Sequence, residues 1–418
     1  MSLMIVVMLL RSEVNAFSYR NAPQGIHIAL TGVESEMSVM FFTQLKSKNY
    51  QIIYSTSSNL DILDVKVKQE VEHYKYIVYQ VPGMYEELTV HEFILKGLPP
   101  ATKIYYRIAM KNDETTTSET FSFITQKSRS ELLKSDEPFQ FLVYGDMDIF
   151  NDGQNTIDSI MRNHMKDTQF ILHIGDIPYV WNHEHEYKWE KWFDMIEPIT
   201  SAMPYIVCNG NHENASNFTS YKTRFTNSTV SVTTKSNTQS NLYYSFDYGS
   251  IHFITISSEH DYALQTRWME EDLAKVNREE TPFIIFYSHR PMYSSNENHG
   301  SYDPIRIAVE PLLRKYKVDL ALFGHVHAYE RTCPISEQGV CDKKKHRNYF
   351  KNADGTIHIH VGTAGFELNQ KWDPKPEWST YRETNHGYLR IKVFGKRALS
   401  VEFLRNGVTT ADSFLIEK

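Results

Sequence analysis

Between residues 25 and 125 apolar and polar positions alternate in short runs. They are Ile26-His27-Ile28-Ala29-Leu30, Ser38-Val39-Met40-Phe41-Phe42, Tyr50-Gln51-Ile52-Ile53-Tyr54, Glu92-Phe93-Ile94-Leu95 and Lys103-Ile104-Tyr105-Tyr106-Arg107-Ile108, with turn residues between them. A period of two, rich in β-branched and aromatic side chains, predicts the strands of a small antiparallel β-sandwich. From Gln126 to Pro138 the chain is rich in Lys, Ser, Glu and Asp without an apolar period, and reads as a linker. The pattern then changes. The strand Phe139-Gln140-Phe141-Leu142-Val143-Tyr144 runs into Gly145-Asp146, a helical stretch surrounds Thr156, Ile157, Ile160 and Met161, and the strand Phe170-Ile171-Leu172-His173-Ile174 runs into Gly175-Asp176. Further strands are predicted at 204–208, 252–256, 283–287 and 319–323, with helices at 266–277 and 304–317 between the last three. Closing strands are predicted at 357–361, 387–393 and 399–404. Strands alternating with helices predict an α/β sandwich with two mixed sheets.

A chain of 418 residues has a prior of two folded units. The division predicted is a leader over residues 1–16, a β-sandwich over 17–128 and an α/β unit over 129–418. The net charge of -7, with Lys and Arg scattered among acids, excludes the basic surface that nucleic acid needs. The apolar run Met1 to Leu10, followed by Arg11 to Ala16 with small residues at Val14 and Ala16, has the outline of a signal peptide, although no Lys or Arg precedes it. Three glycosylation acceptors, at Asn214, Asn217 and Asn227, cluster in a polar stretch from Asn214 to Asn241 that reads as an exposed loop. Of the three cysteines, Cys333 and Cys341 lie close enough to pair in an oxidising compartment, and Cys208 reads as a buried, inert thiol. No later stretch is long and apolar enough for stable membrane insertion. The expectation is a secreted or lumenal protein.

Five times an apolar strand runs directly into a metal-ligand type: at Asp146, at Asp176, at Asn211, at His289, and at the pair His325 and His327. The carboxyl ends of strands form the functional edge of α/β folds, so positions spread over about 180 residues converge there. Any one Gly-Asp or Gly-Asn pair alone is an ordinary turn. Together and in this order, Gly145-Asp146, Gly175-Asp176-Ile177-Pro178-Tyr179, Gly210-Asn211-His212-Glu213, His289 and Gly324-His325-Val326-His327 resemble the blocks of the metallophosphoesterases. Tyr179 narrows the resemblance to the purple acid phosphatases in their long form, which carries an N-terminal domain. Ser288-His289-Arg290-Pro291-Met292-Tyr293 and His327-Ala328-Tyr329-Glu330-Arg331 fit as well. Leu98-Pro99-Pro100-Ala101-Thr102 before Tyr105-Tyr106-Arg107 resembles a corner of a fibronectin type III domain.

The resemblance implies an acid phosphatase acting on phosphate monoesters of small molecules. It implies that Asp146, Asp176, Tyr179 and His327 hold iron(III), and that Asp176, Asn211, His289 and His325 hold a divalent ion, with Asp176 bridging. Two carboxylates and a phenolate suit a trivalent ion, and imidazoles with an amide suit zinc, manganese or iron(II). Two ions about 4 Å apart clamp a phosphate and supply a hydroxide as nucleophile. His212 is the implied anion contact and His299 the proton donor to the leaving group, while Asn298 stands where plant members have a further histidine. The chain also departs from the family at Asp148, a usual glycine, which either adds charge beside the centre or faces solvent, and at Phe286, a usual small residue. His183 and His185 read as a solvated loop, His358 and His360 as structural histidines, and Arg290 as either a substrate contact or a salt bridge. Two rival readings are a phosphodiesterase or nucleotide pyrophosphatase on the same centre, and a catalytically silent extracellular binding protein.

Overall fold

The computed structural model describes residues 22–43, 49–60, 66–68, 73–81, 84–111, 113–135, 137–182, 185–225, 240–342, 348–407 and 409–418. The predicted leader, His183 and the acceptor Asn227 lie outside the described residues.

The N-terminal part is a β-sandwich of two antiparallel sheets. One has the order Gln24–Ala29, Met37–Thr43, Met84–Leu95, His73–Val81. The other has the order Lys66–Lys68, Tyr50–Ser55, Lys103–Met110, Asp113–Thr117, with Phe121–Ile124 also paired to Lys103–Met110. Alternation decides which side chains face inward: Ile26, Ile28, Val39, Phe41, Ile52, Ile104 and Tyr106 are buried in one cluster.

The rest is an α/β sandwich of two mixed sheets. The first has the order Tyr205–Cys208, Thr168–Ile174, Phe139–Tyr144, Gly387–Phe394, Ala398–Arg405, Thr409–Glu417, Tyr349–Lys351. Its first three strands are parallel, and Gly387–Phe394 pairs antiparallel with Phe139–Tyr144. The second has the order Tyr244–Tyr248, Ile251–Thr255, Phe283–Ser288, Leu320–Phe323, Thr356–Val361, Tyr329–Glu337, Val340–Cys341, with Ser379–Glu383 on Tyr329–Glu337. The strand Phe139–Tyr144 shows how the layers follow from the pleat. Phe141 and Val143 point between the sheets, against Phe253, Ile285 and Leu322. Leu142 and Tyr144 point outward, under Ile157 and Ile160 of the helix Asn151–Asn163 and Trp192 and Ile196 of the helix Lys188–Thr200. The second sheet is covered in the same way by Met269 of Tyr262–Leu273 and Ile305 and Val309 of Asp303–Lys315. Strands buried on both faces read as continuous apolar runs, as these do.

The β-sandwich rests on the helix Lys188–Thr200. Ile26 N–H donates to Glu197 Oε2 at 2.8 Å, Thr200 Oγ1 to the Ile26 carbonyl at 2.9 Å, and Tyr106 hydroxyl to the Ser201 carbonyl at 2.7 Å.

Three expectations need correction. The stretch Gln126 to Pro138 contains a helix, Arg129–Lys134, started by a capping box in which Ser128 and Glu131 bond reciprocally, and Leu132 is buried. The polar stretch after Asn214 is not all loop: Ala215–Phe218 is a 3-10 turn and Thr219–Arg224 a helix that buries Tyr221 and Arg224, while Asn214 and Asn217 are exposed. The helix expected at 266–277 begins earlier, at Tyr262, because Asp261 caps it by accepting from Ala263 N–H. Cys333 and Cys341 form a disulfide across the hairpin of Tyr329–Glu337 and Val340–Cys341, and Cys208 is free and buried. Among the described residues no helix is long and apolar enough to cross a membrane.

Buried histidines make stability depend on pH. Burial holds His27 at about 4 and His358 at about 3, and among the described residues His358 Nδ1 finds no hydrogen-bond partner. Both values lie below that of the unfolded chain, about 6.5, so the unfolded state binds more protons between them. Their stabilisation is complete above that value and is lost as pH falls through the window. Urea unfolding between pH 6.5 and 4.5 is expected to show stability falling with acid, and His358→Phe to flatten the slope by about 1.4 kcal/mol per pH unit. An unchanged slope would remove His358 from the account.

Candidate metal centre

Every candidate ligand except Tyr179 sits just past the carboxyl end of a strand. Asp146 follows Phe139–Tyr144, Asp176 follows Thr168–Ile174, Asn211 follows Tyr205–Cys208, His289 follows Phe283–Ser288, and His325 and His327 follow Leu320–Phe323. Three of these strands belong to one sheet and two to the other, so the site lies where both sheets end. The chain must turn sharply there. Asp146, Asp176 and His325 have φ of 62°, 50° and 67°, the left-handed region that non-glycine residues seldom occupy. Glycines beside them let the side chains close in: a Cβ on Gly175 would lie 2.5 Å from His289 Nδ1, and one on Gly324 2.6 Å from Asp146 Oδ2.

The structure brings all seven residues to one place. Tyr179 hydroxyl lies 3.2 Å from Asp146 Oδ1 and 2.9 Å from His327 Nε2, and His327 Nε2 lies 3.4 Å from Asp146 Oδ1. His289 Nε2 lies 3.2 Å from both Asp176 Oδ2 and Asn211 Oδ1. Donor atoms of Asp176, His289 and His325 all lie within 4.8 Å of one another. Second partners orient the rings: His289 Nδ1 faces the Ile174 carbonyl at 3.0 Å and His327 Nδ1 the Glu367 carbonyl at 2.7 Å. A carbonyl only accepts, so each Nδ1 carries a proton and each Nε2 faces inward, where a bound cation would take the place of a second proton.

The electrostatics call for a cation. Asp146 and Asp176 are buried, and among the described residues no Lys or Arg pairs with either; their ionic neighbours are His212, His289 and His327. Burial opposes ionisation of Asp176, yet His289, then His212 and His325, hold its carboxyl well below the usual range. Burial also lowers His289, but Asp176 overrides it and pushes the imidazole up to about 10. Burial, reinforced by Asp146 and Asp176, raises the Tyr179 phenol far above its ordinary value. A phenol in that setting gives up its proton only to a strong positive charge. Two carboxylates, a phenol, an amide oxygen and three imidazoles fit a pair of metal ions with hard and intermediate preferences.

His212 and His299 flank these groups. His212 is half-buried, its Nε2 is 3.8 Å from Asp176 Oδ2 and its ring 4.3 Å from that of Tyr179; burial lowers its pKa against the pull of Asp176. The His299 ring lies 4.5 Å from that of His325 and 6.1 Å from that of His327, with its pKa lowered by burial and then by His327.

Several residues at the site went unassigned in the sequence. Glu213 is buried and accepts from the backbone N–H of Asp176 (3.0 Å), Ile177 (2.8 Å) and Gly210 (2.6 Å), clasping two ligand loops together. Burial, then Asp176, raises its pKa to about 8. Its place in a Gly-Asn-His-Glu block was the available signal. Phe366 stacks on Tyr179 at 3.7 Å, nearly parallel, and nothing local in the sequence marked it. Asp148 does not face solvent. It is buried at φ 54° and paired with buried Lys188 at 2.9 Å, and it accepts Tyr179 N–H at 3.3 Å. Arg290 is a salt bridge, gripped by Glu259 through Nε (2.7 Å) and Nη2 (3.1 Å), with Nη1 3.0 Å from His325 Nε2. His360 bonds Ala328 and Glu330 as a structural histidine does, and His185 bonds Asn182 beside Trp181. Phe286 packs outward, 6.0 Å from Phe323.

Three family profiles match in succession: the N-terminal domain of purple acid phosphatases over residues 23–125, the calcineurin-like phosphoesterases over 139–329, and the C-terminal part of iron/zinc purple acid phosphatase-like proteins over 355–413. The chain is 33% identical over 360 residues to a probable inactive purple acid phosphatase 27 of Arabidopsis thaliana, covering 78% of this chain and 57% of that protein. It thus spans little more than half the length of that relative. It is 32% identical over 399 residues to purple acid phosphatase 22 of the same plant, covering 91% of this chain and 81% of the relative. In fold it resembles a purple acid phosphatase from yellow lupin (Lupinus luteus) seeds, with a TM-score of 0.79 at 24% identity, covering 95% of this chain and 74% of the lupin chain. The chain belongs to the purple acid phosphatase family, with its N-terminal β-sandwich and its metallophosphoesterase fold.

Proposed function

We propose that the chain is an active acid phosphatase that hydrolyses phosphate monoesters on a centre of iron(III) and one divalent ion, zinc, iron(II) or manganese. The observation that carries this is the meeting of seven donor side chains from five strand ends and one loop with the donor atoms turned inward. Some relatives bear the word inactive in their names, so completeness of the donor set is the argument for activity here: a silent binding protein has no need to keep the phenol, the amide and three imidazoles together. Asp146, Asp176, Tyr179 and His327 would hold the iron, and Asp176, Asn211, His289 and His325 the divalent ion. When bound, the ions polarise the phosphate oxygens and activate water.

The protein's own groups do the rest. The carbonyls on Nδ1 of His289 and His327 aim both Nε2 atoms at the centre, where a bound ion would displace the second proton of each imidazole. His212, beside Asp176, contacts a phosphate oxygen. His299 stands on the other flank and delivers a proton to the departing alkoxide. The exposed Asn214 and Asn217 and the Cys333–Cys341 disulfide support a secreted or lumenal glycoprotein.

Metal analysis with a visible spectrum tests the centre. Two metals per chain, one of them iron, and a visible colour are expected, and Tyr179→Phe should bleach the colour before it abolishes activity. A colourless, iron-free, active protein would remove Tyr179 from the iron while leaving a phosphoesterase. Release of phosphate from monoesters but not from diesters separates this reading from a phosphodiesterase. The proton donor has its own test. His299→Ala should lower hydrolysis of an alkyl phosphate by about 10²–10⁴-fold, and that of p-nitrophenyl phosphate, whose leaving group needs no proton, far less. Equal losses on both substrates would exclude His299 as the donor.

A further inference from the structure

Two large aromatic side chains stand half in solvent beside the centre: Trp181 is 53% exposed and Phe150 52%. The Trp181 indole lies edge-on to His212, 5.5 Å away, and 6.1 Å from the Tyr179 ring. Phe150 lies 6.2 Å from Phe366, the ring that stacks on Tyr179. The two rings therefore extend outward, through edge and tilted contacts, an aromatic cluster whose inner end is the Tyr179 phenol.

What holds them there is the buried Asp148–Lys188 pair. The Lys188 ammonium lies 4.6 Å from the centroid of the Trp181 ring and 5.3 Å from that of Phe150, while its charge is met by Asp148 at 2.9 Å. Lys188 and Asp148 are both buried, which costs the hydration of two ions, and Asp148 adds a left-handed backbone. Glycine at 148 would relieve the backbone strain but leave the Lys188 ammonium buried without its partner. In return the pair fixes the two rings through cation–π contact with one face of each.

We propose that Trp181 and Phe150, seated on the Asp148–Lys188 pair, form a platform for the leaving group. The substrates favoured would be phosphate monoesters whose alcohol carries a flat aromatic or heteroaromatic ring, as nucleotides do. The proposal rests on the phosphatase reading above. His212 is the phosphate-side neighbour of Trp181, so the platform begins one ring beyond the phosphate, where a ribose would place its base. A half-exposed ring steadied by a cation keeps apolar surface in solvent for a base to meet, and stacking of a base on an aromatic side chain strengthens binding roughly 5- to 150-fold.

5′-AMP and ribose 5-phosphate share the phosphate and the primary alkoxide leaving group and differ only in the base. The expected ratio of their kcat/KM values in the full chain is at least about tenfold in favour of AMP, falling to within about twofold in Trp181→Ala and in Phe150→Ala and kept in Trp181→Phe. A ratio near one in the unmodified protein, or one that neither alanine substitution moves, overturns the platform. Equilibrium dialysis with the same two phosphates reads the same preference as affinity and needs no turnover. If neither compound is hydrolysed while AMP still binds more tightly through Trp181, the phosphatase reading fails and the platform stands; if both are hydrolysed alike, the reverse holds.

Discussion

Two buried carboxylates that no lysine or arginine among the described residues neutralises are the constraint on which the rest of this structure depends. Asp146 and Asp176 are fully enclosed, and their ionic neighbours are histidines. Left alone, such a pair would drive its own site open or take up protons. The surroundings answer with backbone donors. Asp146 accepts His325 N–H through both oxygens, and Asp176 Oδ1 accepts His212 N–H at 2.9 Å. The His325 amide is available because the chain turns left-handed there, and the His212 amide because it lies at the start of the 3-10 helix Asn211–Glu213, whose first N–H groups have no partner within it.

The same economy extends outward. Glu213 gathers three amides from two loops, and Glu330 accepts from Ser295 N–H at 2.8 Å and from His360 while receiving the Ser295 and Ser379 hydroxyls. The loop tied down by Glu330 is the one that carries His299. Carbonyl partners on the outer nitrogens of His289 and His327 fix the orientation of the two rings. Each shell thus restricts the one inside it, which is how side chains from distant stretches hold a geometry tighter than any of their loops would alone.

Much of this was legible in the sequence, for a definite reason. Strands covered on both faces have no polar positions to spare, so a run such as Phe139 to Tyr144 ending in Gly145-Asp146 marks both the strand and the place where chemistry begins. That rule yields the α/β sandwich, the two mixed sheets and six of the seven candidate donors, with Tyr179 supplied by family resemblance. What stayed hidden was of two kinds. Some signals were present and local: Trp189, Trp192, Phe193, Ile196 and Ile199 repeat at helical spacing, and Ser128 with Glu131 spells a capping box. Others were not local at all. Lys188 finds Asp148 forty residues away, and Phe366 finds Tyr179 only because the strand Thr356–Val361 delivers its loop over the site. Partnerships set by tertiary closure leave no mark on either segment alone.

That closure has a consequence for how the molecule is made. The central strand Phe139–Tyr144 is flanked on one side by Thr168–Ile174 and on the other by Gly387–Phe394, while Gly145 and Asp146 are bonded by Val361, Ala364 and Phe366. More than two hundred residues must therefore be synthesised after Asp146 before its loop acquires a roof. During translation the chain presents a two-faced apolar strand with one open edge and carboxylates that have no enclosure, a state prone to wrong pairings. The cluster of candidate ligands is thus among the last things to form, so any ion it holds would enter a nearly finished protein, and loading would follow completion of the fold rather than nucleate it.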